Sequence, residues 1–175
     1  MTADVAAHQL FLIDQDVDGF NAQCHVIPPL RSREDRDGLR EAVKRGIVSA
    51  ICSDHQPHEA DAKINPFPLT EPGISALETL LPLCLRLVED GVLTPLQAAQ
   101  RLSLAPSEIL GLDAGRLSQG SPADLVLVDP SAHWTLNAAR LISAGHNTPF
   151  DGFEFRGRLL RSWWRGQAVF GADVQ

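Results

Sequence analysis

The chain has 175 residues, 44% of them hydrophobic and 21% charged, with a formal net charge of −7. That length suits one ordinary domain or two small ones, and the composition is that of a soluble globular protein. The negative balance argues against a nucleic-acid surface, which needs a basic stripe. The most apolar stretch, 74–88, is broken by Glu78, Pro82 and Arg86 and is shorter than the ~20 residues of a membrane span.

In chain order, Met1-Thr2-Ala3-Asp4 has no basic leader region, so no signal peptide is expected, and a cytoplasmic location is. Residues 5–13 read as a strand and its exit, and 14–21 as an acidic loop. Pro28-Pro29 forces extended backbone. Ser32 then caps a helix over 33–45, with Glu34 and Asp35 at its positive end, Lys44 and Arg45 at its negative end, and Gly46 as the stop. Ile47-Val48-Ser49-Ala50-Ile51-Cys52 has the length and β-branched content of a buried strand, expected over 47–53.

Ser53-Asp54-His55-Gln56-Pro57-His58 follows directly, so a carboxylate and two imidazoles stand where a strand ends. Carboxylates and imidazoles in such places ligate metals, move protons or hold substrate; in (β/α) barrels this is where the chemistry sits. Taken alone, Asp54 is as consistent with capping a turn as with catalysis. Residues 59–72 form a polar, proline-rich loop long enough to be a lid or binding loop. Helices are expected over 74–90, from Pro95 to about Leu102 behind a Thr94 capping box, and over 106–110. Glu78, if buried in the first of these, needs a backbone or arginine partner.

After residue 112 the texture turns to β. Residues 125–128 read as a strand, 137–144 as a short helix, and 153–155, 159–164 and 167–170 as a meander punctuated by Gly157 and Gly166. The expected division is 1–112 as a partial (β/α) unit and 113–175 as a β-rich unit. Cys24, Cys52 and Cys84, odd in number and without CxxC spacing, read as free thiols. His8 and His25 read as packing or surface histidines, and His133 and His146 as structural residues away from the site. Arg31 reads as a surface or capping residue, and Trp163-Trp164 as β-unit packing or a partner surface.

Several segments together resemble one family. Ser53 to His58 resembles the [ST]-D-H-x-P-H segment of dihydroorotases and their cyclic-amide hydrolase relatives. Thr2 to His8 resembles their strand-seven segment, and Ile27-Pro28-Pro29-Leu30-Arg31 their N-P-P-L-R loop. Glu71-Pro72-Gly73-Ile74 with Leu77-Glu78-Thr79 resembles a helix start, Gly115 to Leu125 the return to a small β-domain, and Asn147-Thr148-Pro149-Phe150 a segment near the C-terminus. The matches run in family order along nearly the whole chain.

The resemblance implies an α/β fold: the C-terminal part of a (β/α)8 amidohydrolase barrel, about two strands with their helices, followed by part of a small β-sandwich. A complete barrel needs eight strands and about 250 residues. It implies hydrolysis of dihydroorotate to carbamoyl aspartate in pyrimidine biosynthesis, or of another cyclic amide as in allantoinases and hydantoinases. Asp54 would be the metal ligand and catalytic base, with His58, Gly73 and the residue at Ile27 at the substrate. The family's binuclear zinc centre takes its other ligands from earlier strands, so zinc retention and activity are not expected of this chain alone. Ile27 stands where the family has a substrate-contacting Asn, which resembles the non-catalytic homologues that assemble with aspartate carbamoyltransferase. Barrel strands with uncovered edges imply self-association or a rearrangement that hides them, and a homo-oligomer is expected.

Overall fold

In a computed structural model of the chain, residues 1–171 are described. Strand β1, Asp4–Ala6, lies parallel to β2, Ala50–Cys52, with Asp4 opposite Ala50 and Ala6 opposite Cys52. Helix α1, Arg33–Arg45, makes the crossover, so the three elements form one βαβ unit.

Helix α1 forms where its caps predict. Ser32 Oγ accepts from the Asp35 backbone N–H at 3.2 Å and Asp35 accepts in return from the Ser32 N–H at 3.2 Å. Gly46 closes the helix in the left-handed region at φ 77°. Arg40 docks this helix on the turn after β1: its Nε donates to Leu10 O at 2.6 Å, and its guanidinium lies 4.7 Å from the Phe11 ring centroid.

Both strands are shorter than expected. The chain leaves β1 at Ala6 and turns into a 3-10 helix over Ala7–Leu10, so the expected strand over 5–13 ends early. Residues 47–49 precede β2 rather than extending it, because the chain after Gly46 is still turning; the Ile47 and Val48 N–H groups both donate to Ala42 O. The helix expected over 74–90 begins only at Leu80 and is α2, Leu80–Glu89. Its first six residues are held elsewhere: Ile74 bridges to His55, and the Ala76 and Leu77 N–H groups donate to His55 Nδ1 at 3.0 and 3.1 Å.

Beyond α2, Thr94 caps α3, Pro95–Ala99, which passes through a π turn, Gln100–Leu104, into α4, Ala105–Leu110. The chain then forms an antiparallel sheet of β3, Leu125–Thr135, β4, Glu154–Trp164, and β5, Gln167–Phe170, in that order. The strand expected over 125–128 continues past Pro130 by way of a register shift between Asp129 and His133. The separate strands expected at 153–155 and 159–164 are one, with Gly157 inside it at φ 95°. The helix expected over 137–144 is a single 3-10 turn, Ala138–Arg140. Among the described residues the expected part of a sandwich is one three-stranded sheet; residues 172–175 of the expected β-rich unit lie outside the described residues.

One core joins the two parts. Val5, Leu10, Val43 and Ile51 from the βαβ unit, and Leu83 and Leu87 from α2, share a buried cluster with Leu136, Phe150 and Phe155. Phe150 is fully buried and meets Phe153 edge-on at 5.3 Å.

Candidate functional site

The site is built where β2 ends. Asp54 follows two residues after the strand with φ 47°, a conformation that side chains other than Gly, Asn and Asp rarely take. Its carboxylate accepts a hydrogen bond from Gln56 Nε2 at 2.9 Å. The loop is then fixed from three directions. His58 Nε2 lies 3.0 Å from Pro72 O; a carbonyl only accepts, so Nε2 is the donor in that pair. The Gln56 N–H donates to Ile74 O at 2.9 Å, and the Gly73 N–H donates to His25 O at 2.7 Å. Gly73, expected at the substrate, is buried at φ 133°, and a Cβ there would stand 2.5 Å from Gln56 Cβ.

The three loop residues play different parts. His55 is spent on structure: Nδ1 accepts from two backbone N–H groups, and Nε2 lies 3.3 Å from Ser143 Oγ. Glu78 finds the backbone partner expected of it, accepting from the Ile142 N–H at 2.7 Å. His58 is half-buried beside a cavity of about 370 Å³ that Lys63, Asn147 and His146 also line. His146, expected away from the site, is thus brought to it by the turn before β4, whereas His133 stays exposed on β3.

Lys63, which the sequence pattern leaves unmarked, and Asn147, marked only as the start of a resembling segment, hold this region, and His8 lies buried, as the packing reading expects. Lys63, buried in the loop, donates to the carbonyls of Glu71 and Gly73 at 2.6 and 2.9 Å, and burial lowers its pKa. Asn147 donates to Gln56 O and Gly73 O, both at 3.0 Å. His8 is buried at 1% exposure, and neither ring nitrogen has a hydrogen-bond partner. Desolvation lowers its pKa, and the nearby Asp54 charge opposes that shift. No spacing rule marks Lys63 or Asn147, because each acts on backbone far along the chain.

Ile27, by contrast, is 67% exposed and lines a separate apolar groove of about 450 Å³ with Val26, Leu30 and Phe67. His25 belongs to that groove too, its Nδ1 2.7 Å from Thr70 Oγ1 and its ring 4.6 Å from Phe67. Since the Thr70 hydroxyl donates to Phe67 O at 2.8 Å, His25 Nδ1 is the donor in that pair. Trp163 and Trp164 lie on β4, the latter exposed, and Arg31 pairs on the surface with Asp35 at 3.7 Å.

A zinc centre takes three or four protein ligands for each metal. Among the described residues no group of three or more His, Cys, Asp or Glu is placed to hold a metal ion. With both nitrogens of His55 engaged and Nε2 of His58 bonded to Pro72 O, the donor set of this chain does not fit a binuclear centre by itself. Among the described residues, no helix is long and apolar enough to cross a membrane.

The amidohydrolase family pattern matches residues 6–169. A dihydroorotase-like protein of Pseudomonas aeruginosa is 54% identical over 159 residues, covering 91% of this chain and 37% of its own length. A dihydroorotase of Pelobacter propionicus is 40% identical over 170 residues, covering 97% of this chain and 40% of its own. The L-hydantoinase (dihydropyrimidinase) of Arthrobacter aurescens superposes with a TM-score of 0.91 at 26% identity, over 97% of this chain and 39% of that one. The chain thus spans about two fifths of the length of the relatives it matches. With that span matched in sequence and in fold, the chain belongs to the amidohydrolase family, as a dihydroorotase-like member.

Proposed function

We propose that this chain carries the catalytic-carboxylate end of a dihydroorotase-type site for cyclic-amide hydrolysis, and that it is inactive until the remaining groups are supplied. The observation that supports this reading is Asp54: a carboxylate at the end of β2, in a left-handed backbone conformation, with its Oδ1 held by Gln56. In that role Asp54 accepts the proton of the attacking water and returns it to the departing ring nitrogen as the amide opens. His58, half-buried at the cavity, meets the polar groups of a cyclic amide, and Gly73 lets the backbone of the loop pack closely against Gln56. Amidohydrolases are typically metal-dependent, and the other metal ligands would come from outside this chain. The site of action is the cytoplasm, in pyrimidine biosynthesis.

A second reading rests on Ile27. An exposed apolar side chain cannot donate to a substrate carbonyl or carboxylate, and it suits a protein contact better. On this reading the chain is part of a non-catalytic subunit that assembles with aspartate carbamoyltransferase or with copies of itself. A zinc titration joined to a dihydroorotase assay of the purified chain tests the first reading. No stoichiometric zinc and no turnover are expected; tight zinc with turnover would refute the inactive-alone reading. Co-purification with aspartate carbamoyltransferase, without turnover, would favour the second.

A further inference from the structure

The segment 142–148, between β3 and β4, reaches back across the chain to the loop after β2. Its contacts converge there. Glu78 Oε1 accepts from the Ile142 and Ser143 N–H groups at 2.7 and 3.4 Å. Because His55 Nδ1 accepts two backbone N–H groups, its proton sits on Nε2 and is donated to Ser143 Oγ. Gly145 lies directly on the loop backbone: a Cβ there would stand 2.4 Å from His58 N and 2.7 Å from Pro57 C. Asn147, 4% exposed, uses both halves of its carboxamide. Oδ1 accepts from His58 N–H at 2.7 Å, and Nδ2 donates to Gln56 O and Gly73 O.

These bonds end on the backbone of 56–58 and 73, the loop that presents Asp54. Gln56 completes the path: Asn147 holds its main chain, and its side chain holds Asp54 Oδ1. The position needs one acceptor and two donors at a fixed reach. Aspartate lacks the donors, leucine lacks both, and glutamine is longer by a methylene.

We propose that segment 142–148 is a strap that sets the position of the Asp54–His58 loop, with Asn147 as its positioning residue acting through Gln56. On this account the chain beyond α4 sets the geometry at the end of β2. The proposal rests on the reading of Asp54 as the working carboxylate, but its test does not require that reading to hold.

The test is amide exchange and side-chain NMR on the intact chain. In Asn147→Asp the Nδ2 amino group, which makes both donor bonds, becomes one carboxylate oxygen facing two carbonyls. The His58 amide is expected to exchange at least about tenfold faster, while core amides such as Val43 and Leu87 change little. The Gln56 side-chain amide signals are expected to move to free-solvent positions while the Val43 and Leu87 amides stay slow, a combination that general loosening does not produce. Gly145→Ala, which lifts the strap without altering any polar group, is expected to give the same pattern and decides the matter if Asn147→Asp does not fold. An unchanged His58 amide, or one that accelerates in step with Val43 and Leu87, would overturn the proposal. Asp54→Asn is expected to leave His58 slow, so loss of the catalytic reading and loss of the strap would be told apart.

Discussion

His8 gives the sharpest thermodynamic prediction. Its ring is 1% exposed, and both nitrogens lack a partner. A buried polar atom left unsatisfied costs about 1–3 kcal/mol. Leucine has nearly the same volume and no polar atoms, so His8→Leu is expected to stabilise the isolated chain by about 1–3 kcal/mol. For a chain of this length each kcal/mol raises Tm by roughly 2–4 °C.

The pH dependence has a definite sign. Burial holds the His8 pKa below its ordinary 6.5, so the unfolded ring takes up a proton before the folded one does. Stability from this group is fully present above about 6.5 and is lost as pH falls toward the depressed folded value. His8→Leu has no such loss, so its advantage over the wild type is expected to widen between pH 7.5 and pH 5. Urea unfolding of both proteins at the two pH values measures this, and His25, common to both, cancels in the difference. A destabilised variant, or a gap that does not change with pH, would refute the reasoning.

Other outcomes follow from packing and caps. Leu87 is fully buried in the shared core, so Leu87→Ala is expected to cost about 2–5 kcal/mol, read from urea unfolding. Ser32→Ala removes the cap of α1 and is expected to cost about 1 kcal/mol, with a Tm lower by a few degrees in a thermal melt. Burial pushes the Cys84 thiol up to about 12 and the Cys24 and Cys52 thiols up to about 11. Iodoacetamide at pH 7.5 is therefore expected to leave Cys84 unmodified in the native chain and to label all three thiols in denaturant, as counted by mass spectrometry.

Elements whose ends are chemically punctuated were legible in the sequence. Ser32, Asp35 and Gly46 bound α1 at the residues expected, and Thr94 with Pro95 starts α3. Elements bounded by distant partners were not. Nothing local in residues 74–79 says that His55 takes the N–H groups of Ala76 and Leu77 and delays α2 to Leu80. The site divides in the same way. The placement of Asp54 at a strand end follows from the apolar run before it. Asn147 bonds to a residue 89 positions earlier, so no window of sequence contains both partners. His55, paired by sequence with Asp54 and His58 as a candidate group, turns out to be committed to the backbone, because a ring at the mouth of a strand is as useful for closing a turn as for chemistry.

The most direct test of the central claim is to put this chain in place of the matching C-terminal part of the Pelobacter propionicus dihydroorotase and to assay dihydroorotate turnover. The account predicts turnover that is abolished by Asp54→Asn and raised by Ile27→Asn. Turnover that survives Asp54→Asn would contradict it.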